Sequence, residues 1–419
     1  MKELIRKIFR GDAILWATIL SLFMISGLVM FSAISSSAHR YDDYLIPFWG
    51  HMRHILLGII IIIVVHQFSY RSIRWLLYLI PLASLLLLIL TPIIGKEVNG
   101  AVRSIPIMGF EIQSIELTKL AIVIVFAEIL GFYNTHTDKV MSWKTFTIMS
   151  GILGLFCTLV LVQNFSTSAM LFLVSILMML VGKVSLKYIG TLLGGITAVG
   201  VLVICIILLI GPDKLGNDNR LGTWVKRVER FFETKEADDK NTIVITDENR
   251  QVVNSKIAIA NGISPCGPGN SVQRDYLALA YSDFVYAVII EEYGILGGII
   301  IILLYVIILA RAGKIARRCA PNEATESILV IGISLIIVMQ AFINMSVATE
   351  LGPTTGQNLP LISRGGMSML VTSLAFGLIL GISARNEERI QKEIAKQEAE
   401  QAEVSTPIEE STEEEANNQ

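Results

Sequence analysis

An aspartate at the start of a long apolar stretch is the first residue of the sequence that could do chemistry. Asp283 stands in the segment A-Y-S-D-F-V-Y, directly ahead of that stretch. A carboxylate at the edge of a membrane is costly and needs a partner or a function. It could act as a general base that takes a proton from a hydroxyl group. It could equally cap the helix that follows, because the free amides of a helix N-terminus favour an acidic side chain.

Glu116 and Lys119 form a second set of ionisable residues in an apolar setting. Their i, i+3 spacing places both side chains on one face of a helix. Because the flanking residues are apolar, this face is expected to point to the interior of a helix bundle or to a wet cavity. The pair is interpreted either as fixed charges beside a polar substrate or as an ion pair that serves folding alone.

Basic residues and an unusual loop accompany these acids. Arg103 lies shortly before the second set, and Arg227 lies in the run K-R-V-E-R. Guanidinium groups suit phosphate oxygens, so these positions indicate an anionic, phosphate-bearing substrate, although such a run is also typical of a solvated surface. The segment 352–366, G-P-T-T-G-Q-N-L-P-L-I-S-R-G-G, contains Ser363 and Arg364. Irregular backbone near a membrane is tolerated only where it is buried in protein or lines a cavity.

The elements that must position these residues are membrane spans. Of the 419 residues, 53% are hydrophobic and 17% are charged. A soluble domain carries about 25% charged residues, so the composition excludes an ordinary soluble globule. A bilayer core needs about 20 mostly apolar residues per helix. Windows of this kind predict an all-α polytopic membrane protein with ten transmembrane helices, at 14–35, 53–69, 74–95, 113–133, 145–163, 167–184, 188–211, 281–310, 326–348 and 366–384.

The basic residues of the short connections indicate the orientation. Lys and Arg concentrate in the termini and in the connections on the same side as the termini, which favours cytoplasmic N- and C-termini. The segments 96–112 and 349–365 then face the outside, together with the long loop 212–278 between helices seven and eight. Asp283 lies at this outer side as well. The chemistry is therefore expected on the outer face of the membrane.

The chain is predicted to have two parts, a transmembrane domain at 1–385 and an acidic cytoplasmic tail at 386–419. The tail has few apolar residues with which to repay the entropy of ordering, so we predict that it is disordered. The 4 cysteines and 5 histidines are scattered without the spacing of a disulfide framework or of a metal site. The sequence therefore assigns no metal ligands.

Four motifs in order resemble those of the shape, elongation, division and sporulation (SEDS) family, the group of FtsW, RodA and SpoVE. Any one of them alone would be weak, but together they span most of the apolar part of the chain. They are N-G-A-V-R-S-I at 99–105, Q-S-I-E-L-T-K at 113–119, A-I-A-N-G at 258–262 with the D-F and E-E-Y-G signature at 283–294, and the segment 353–368.

The sequence departs from the usual family pattern at a few of these positions. Ser104 stands where the family commonly has Trp, which removes an expected stacking surface. Tyr281 and Ser282 replace a usual His-Thr pair, and Arg364 stands where Tyr is common. The form of the last motif and the polar tail resemble the cell-division branch of the family more than the elongation branch.

The resemblance implies a peptidoglycan glycosyltransferase that polymerises lipid II on the outer face of the membrane and releases undecaprenyl pyrophosphate. Asp283 is the implied general base for the attacking hydroxyl. The leaving pyrophosphate needs cations, and a divalent ion such as Mg²⁺ or Mn²⁺ is a further expectation. Glu116 would hold Lys119 in place. The implied substrate-binding residues are Arg103, Glu116, Lys119, Arg227, Ser363 and Arg364.

The resemblance also implies partners and a location. A class B penicillin-binding protein with transpeptidase activity is expected, together with other membrane proteins of the division machinery, membrane lipid and no nucleic acid. The implied location is the bacterial cytoplasmic membrane at the division septum.

Three other functions remain open from the sequence. An elongation polymerase of the same chemistry would carry the same residues. A lipid II flippase would suit the many spans equally well, although transporters commonly show internal repeats, which this sequence does not show convincingly. A non-catalytic scaffold of the division machinery would use the acidic tail for docking.

Overall fold

The computed structural model describes residues 9–35, 45–98, 101–107, 110–136, 141–210, 249–277 and 280–416. Most of these residues are helical. The helices are α1 (Ala13–Ser35), α2 (Leu45–Gln67), α3 (Tyr70–Leu77), α4 (Leu79–Ile94), α5 (Ser114–His136), α6 (Trp143–Gln163), α7 (Phe165–Val181), α8 (Leu186–Ile210), α9 (Arg250–Asn261), α10 (Val285–Arg317), α11 (Ala324–Ala348) and α12 (Gly366–Ala416). The strands are β1 (Lys96–Val98), β2 (Ala101–Ile107) and β3 (Phe110–Gln113).

The all-α polytopic membrane fold is confirmed. Within the described ranges, 7 helical stretches are long and apolar enough to cross a membrane, and α7 and the first part of α8 are shorter apolar helices. Helix α5 carries the charged residues Glu116, Lys119 and Glu128. Each predicted window therefore coincides with a helix. That all ten windows cross the bilayer, and that both termini are cytoplasmic, stay predictions.

The segment 96–112, which is predicted to face the outside, contains a small antiparallel sheet in the order β1-β2-β3. These strands are much shorter than the apolar stretches that predict membrane spans, although the Val, Ile and Phe residues of the segment favour strands. Ser104 is the central pairing position, facing Lys96 on β1 and Gln113 on β3. Strand β3 continues directly into α5. The sheet therefore fixes the start of the helix that carries Glu116.

Helix α11 lies inside the bundle and contacts α5, α7, α10 and α12. Gly332 permits its close approach to two neighbours, because a Cβ there would lie 2.7 Å from both Met178 Cε and Val123 Cγ1. Small residues at helix contacts allow such backbone approach in membrane bundles. Two buried amides, Gln340 and Asn344, lie one turn apart further along α11. The position of α11 brings these amides close to the start of α10.

Helix α10 is interrupted at Gly294, which has φ 76° and ψ 178°. This region of backbone conformation is essentially restricted to glycine. The interruption frees carbonyl groups of the preceding turn for other partners. The Glu291 carbonyl accepts a hydrogen bond from the N–H of Cys266, and the Glu292 carbonyl accepts one from Gly267, each at 3.1 Å. The loop that follows α9 is thereby tied to α10.

The last helix, α12, continues beyond the predicted domain boundary at residue 385. Arg389 pairs with Glu323 at 2.6 Å, and Asn386 donates to the Ile315 carbonyl at 3.2 Å, so the start of the predicted tail is bound to the transmembrane part. Helical backbone then extends to Ala416. The structure thus has helix where composition predicts disorder, because Ala, Glu, Lys and Gln are strong helix formers. The division into two domains stays a prediction.

Candidate active site

The candidate site is a cavity of about 230 Å³ between four parts of the fold. They are the sheet with the start of α5, the junction of α6 and α7, the turn before α10, and the loop before α12. The lining includes charged and polar side chains from each part. Among them are Ser104, Glu111, Glu116, Asn164, Ser282, Asp283, Gln357, Asn358 and Arg364.

Asp283 lines this cavity from the turn ahead of α10. The N-cap position of α10 is taken by Phe284, so the aspartate stands one residue outside the helix. The hydroxyl of Ser282 lies 2.9 Å from its carboxylate, and the side-chain amide of Asn344 donates to its backbone carbonyl at 3.0 Å. Backbone and side chain are therefore both held by polar partners while the carboxylate faces the cavity.

The Glu116–Lys119 pair is confirmed as a buried ion pair on one face of α5. Lys119 Nζ lies 2.7 Å from Glu116 Oε2 and donates to Gln340 Oε1 at 2.5 Å. Only Glu116 lines the main cavity. Lys119 lies behind it, in a small cavity of about 30 Å³ with mostly apolar walls. The carboxylate is therefore the member of the pair that faces the site, and the ammonium group offsets its charge from behind.

The loop 353–365 is irregular, and side chains from several helices satisfy its carbonyl groups. Such backbone is tolerated at membrane depth only with internal partners. Contacts with other segments therefore hold the loop in place as one wall of the cavity. The donor and acceptor pairs are Asn164 Nδ2 to Thr355 O (3.3 Å), Asn344 Nδ2 to Gln357 O (2.7 Å), Gln340 Nε2 to Asn358 O (2.8 Å), Tyr305 OH to Pro360 O (2.5 Å) and Ser26 Oγ to Ile362 O (2.9 Å).

Ser363 and Arg364 have different positions despite being neighbours. The Ser363 side chain is buried; its hydroxyl accepts from the N–H of Leu359 at 2.8 Å and donates to the Ser282 carbonyl at 2.7 Å. It ties the loop to the turn that carries Asp283 and is not among the lining residues. Arg364 does line the cavity. The geometry gives Ser363 a positioning role and leaves Arg364 able to contact a ligand.

The two remaining predicted cations cannot be placed at the cavity. The backbone of Arg103 lies in β2, next to the lining residue Ser104, but its side chain falls outside the described part of the structure. Arg227 lies outside the described residues altogether. Among the lining residues that the structure describes, three are acidic, Glu111, Glu116 and Asp283, and Arg364 is basic.

Several polar residues of the site were not predicted from the sequence. Gln357 and Asn358 line the cavity, and Gln340 and Asn344 hold them from α11. A signal was present, because two amides four residues apart in an otherwise apolar span share one face and are costly in lipid. Both amides are neutral, so the ionisable residues that indicate the site from the sequence do not include them.

Comparison with known proteins decides the family. A family model for FtsW, RodA and SpoVE, described as "cell cycle protein", matches residues 13–388. The chain belongs to the FtsW, RodA and SpoVE family. It is therefore an integral membrane protein of that family, as its apolar helices indicate.

Individual members of the family agree with this placement. A probable peptidoglycan glycosyltransferase FtsW of Haemophilus influenzae is 32% identical over 381 residues, covering 87% of this chain and 89% of that protein. A similarly named protein of Marinobacter nauticus is 32% identical over 320 residues, covering 75% and 74%. The predicted resemblance to the SEDS family, and to its FtsW members, is confirmed.

Solved structures of the FtsW, RodA and SpoVE family share the fold. A chain from a study of the structural coordination of polymerization and crosslinking by a peptidoglycan synthase complex has a TM-score of 0.69 at 21% identity, covering 90% of this chain and 98% of that one. The rod shape determining protein RodA of Thermus thermophilus has a TM-score of 0.61 at 20% identity, covering 90% and 97%. At this identity the likeness concerns the fold alone.

Proposed function

We propose that this member of the FtsW, RodA and SpoVE family is a peptidoglycan glycosyltransferase that polymerises lipid II on the outer face of the cytoplasmic membrane during septal cell-wall synthesis. The observation that carries the proposal is the Asp283 carboxylate, which faces one cavity together with Glu116 and Arg364. The names of the FtsW relatives support the same activity.

The proposed reaction joins two lipid-linked disaccharides. The Asp283 carboxylate takes the proton of the GlcNAc 4-hydroxyl of one molecule. The oxygen of that hydroxyl attacks C1 of the MurNAc at the end of the growing strand. The bond from C1 to the undecaprenyl pyrophosphate oxygen breaks, and the leaving group takes the electron pair. A weak hydroxyl nucleophile needs a base within hydrogen-bonding reach in the transition state, and a carboxylate on the cavity wall can supply it.

Cations are needed for the charge that develops on the leaving pyrophosphate. Among the described lining residues, Arg364 is the one that can stabilise this negative charge, because its planar guanidinium suits phosphate oxygens. Arg103 and Arg227 stay proposed contributors. Lys119 contributes indirectly, because its ammonium group neutralises Glu116 from behind. This arrangement reverses the order expected from the sequence, in which Glu116 holds Lys119.

A divalent cation, Mg²⁺ or Mn²⁺, stays a prediction. Within the described part of the chain, no group of three or more His, Cys, Asp or Glu side chains is placed to hold a metal ion. A cation that acts in the reaction would depend on ligands from the pyrophosphate of the substrate.

The proposed partner is a class B penicillin-binding protein that crosslinks the new strands. A fold neighbour of this chain comes from a complex that coordinates polymerization and crosslinking, which supports such a partner for this family member. The FtsW names of the relatives support the division machinery and the septum as the location.

The proposal is tested by polymerisation of labelled lipid II by the purified protein with its cognate class B penicillin-binding protein. Wild type is compared with Asp283→Asn and with Asp275→Asn, a control at an exposed acidic residue outside the cavity. Strands from wild type and Asp275→Asn, and none from a folded Asp283→Asn, are expected. Equal polymer from all three would remove Asp283 from the base role. No polymer from any, with lipid II crossing vesicle membranes, would favour a flippase; neither activity would favour a scaffold.

A further inference from the structure

Gln340 and Asn344 are buried amides in the middle of an apolar bundle, with 3% and 1% of their surfaces exposed. They lie one turn apart on α11 and face the same side of the helix. A buried polar side chain is costly unless it is hydrogen-bonded. Their partners therefore show what the two residues hold in place.

Gln340 joins α5 to the loop before α12. Its Oε1 accepts a hydrogen bond from Lys119 Nζ at 2.5 Å, and its Nε2 donates to the Asn358 carbonyl at 2.8 Å. The ammonium group can only donate and the carbonyl can only accept, so the orientation of the amide is fixed by its partners. Through Lys119 the same connection reaches Glu116, which faces the cavity.

Asn344 joins the same loop to the turn before α10. Its Nδ2 donates to the Gln357 carbonyl at 2.7 Å and to the Asp283 carbonyl at 3.0 Å. Both partners are acceptors, so the amide nitrogen must face them. The Asn344 Oδ1 atom is buried without a hydrogen-bond partner among the described residues. The two donations satisfy carbonyl groups of the loop and of the turn, so the asparagine side chain holds these two segments together.

Side chains of the loop before α12 and of the turn before α10 also contact each other inside the cavity. The Ser282 hydroxyl lies 2.8 Å from the amide oxygen of Asn358 and 2.9 Å from the Asp283 carboxylate. Lys119, Gln340, Asn358, Ser282 and Asp283 thus form a continuous polar chain. It connects the ion pair on α5 with the Asp283 carboxylate, which lines the same cavity as Glu116.

We propose that Gln340 and Asn344 are positioning residues that set the placement of Asp283 and Asn358 relative to Glu116. This inference rests on the proposed function of the cavity. Neither amide is among the lining residues of the main cavity; they act through the backbone of the loop and of the turn. A displacement of about 1 Å at a reacting group can lower the rate about 100-fold. The loss of either amide is therefore expected to lower the rate of polymerisation strongly.

The test uses the full chain with its cognate class B penicillin-binding protein and the variants Gln340→Leu and Asn344→Leu. Ser334→Ala is the matched control, because Ser334 is equally buried on α11 but donates only to the Ile331 carbonyl of its own helix. Only preparations that elute as a single folded species are compared. Each variant is measured for kcat and KM with lipid II, and for hydrogen exchange of the loop amides.

We expect kcat/KM to fall about 10- to 100-fold in both leucine variants, with a raised KM as well as a lowered kcat. Exchange at the N–H groups of Leu359 and Arg364 is expected to quicken, since these donate to Ser363 Oγ and to the Tyr281 carbonyl within the held segments. Ser334→Ala is expected to match wild type in both. A fraction of misfolded protein would lower the apparent kcat alone.

The possible results separate this inference from the proposed function. Leucine variants that polymerise like wild type overturn the positioning role, whether or not exchange quickens. Unchanged exchange with reduced activity also overturns it, because the loss would then not pass through the loop. A wild-type protein that makes no polymer overturns the proposed function, and the positioning role for that reaction with it.

Discussion

The guanidinium carbon of Arg364 lies 5.3 Å from the centroid of the Tyr281 ring, and the backbone N–H of Arg364 donates to the Tyr281 carbonyl at 2.9 Å. Both residues depart from the usual pattern of the family. The structure places the two departures in contact, so that the aromatic ring holds the cation at the cavity wall. A cation over an aromatic face is attracted by the ring quadrupole, by about 0.5–2 kcal/mol.

This contact predicts a coupling between the two positions. Tyr281→Leu and Arg364→Met are each expected to destabilise the protein, and the double variant is expected to lose less than the sum. The coupling should be about 0.5–2 kcal/mol in the free energy of unfolding, measured by a double-mutant cycle in detergent. The backbone hydrogen bond persists in all four proteins and cancels in the cycle. Strictly additive effects would show that the ring and the guanidinium do not interact.

The buried ion pair predicts an asymmetry between single and double substitutions. Lys119→Met leaves the Glu116 carboxylate without its counter-charge, and removal of one partner of a buried pair costs about 3–5 kcal/mol. The double variant Glu116→Gln/Lys119→Met should recover much of this stability but not polymerisation, because Glu116 faces the cavity. Thermal unfolding and the lipid II assay measure the two quantities.

An exposed ion pair supplies the comparison for this experiment. Lys396 and Glu400 lie 3.6 Å apart, with 78% and 64% of their side chains exposed. Lys396→Met should change stability by less than about 1 kcal/mol, since exposed pairs contribute little. A Lys119→Met protein that melts like Lys396→Met would contradict the burial argument.

The interruption of α10 predicts a strong requirement for glycine at one position of that helix. Gly294→Ala forces a Cβ into a conformation that L-residues rarely adopt and should cost about 1–3 kcal/mol of stability. Gly313→Ala, in a regular and open part of the same helix, should be neutral or slightly stabilising. Melting temperatures of the two variants in detergent make the comparison. Equal melting temperatures would mean that the helix can run straight through residue 294.

The sequence predicted the ionisable residues of the site, because a charged side chain in apolar surroundings costs free energy. Asp283, Glu116 and Lys119 are ionisable residues in apolar surroundings, and such residues need partners, so their type and spacing indicate a site. All ten apolar windows coincide with helices for a different reason: in lipid the backbone must satisfy its own hydrogen bonds, and a helix does so within one segment.

The remaining parts depend on contacts between distant segments. The sequence predicts Ser363 as a substrate-binding residue, and this stays a prediction. In the structure its hydroxyl donates to the Ser282 carbonyl, and nothing in the local sequence indicates that contact. Asn344 lies 61 positions from Asp283, and their hydrogen bond exists only because α11 packs beside the start of α10. The strands of the 96–112 segment are likewise too short for a window that searches for membrane spans.

The orientation of the chain predicts which cysteine is reachable from outside. Cys266 is exposed in the loop after α9, and Cys319 lies between α10 and α11 at the other end of the bundle. In a chain carrying Cys157→Ser and Cys205→Ser, a membrane-impermeant maleimide should label right-side-out vesicles at Cys266 and spare Cys319. Cys266→Ser should abolish the labelling. Labelling of Cys319 instead would place both termini outside.

The same reaction should depend steeply on pH. Although Cys266 is exposed, the surrounding loop removes some of the water from its thiol, and this desolvation, with the nearby carboxylates of Glu291 and Glu292, raises the pKa of the thiol. The thiolate is the reactive form, and an unperturbed cysteine has a pKa of about 8.5. The folded protein should therefore react more slowly than a free thiol at pH 8, and its rate should still be rising where the rate of the free thiol levels off. Detergent-denatured protein should follow the free thiol, because unfolding removes both the desolvation and the nearby charges.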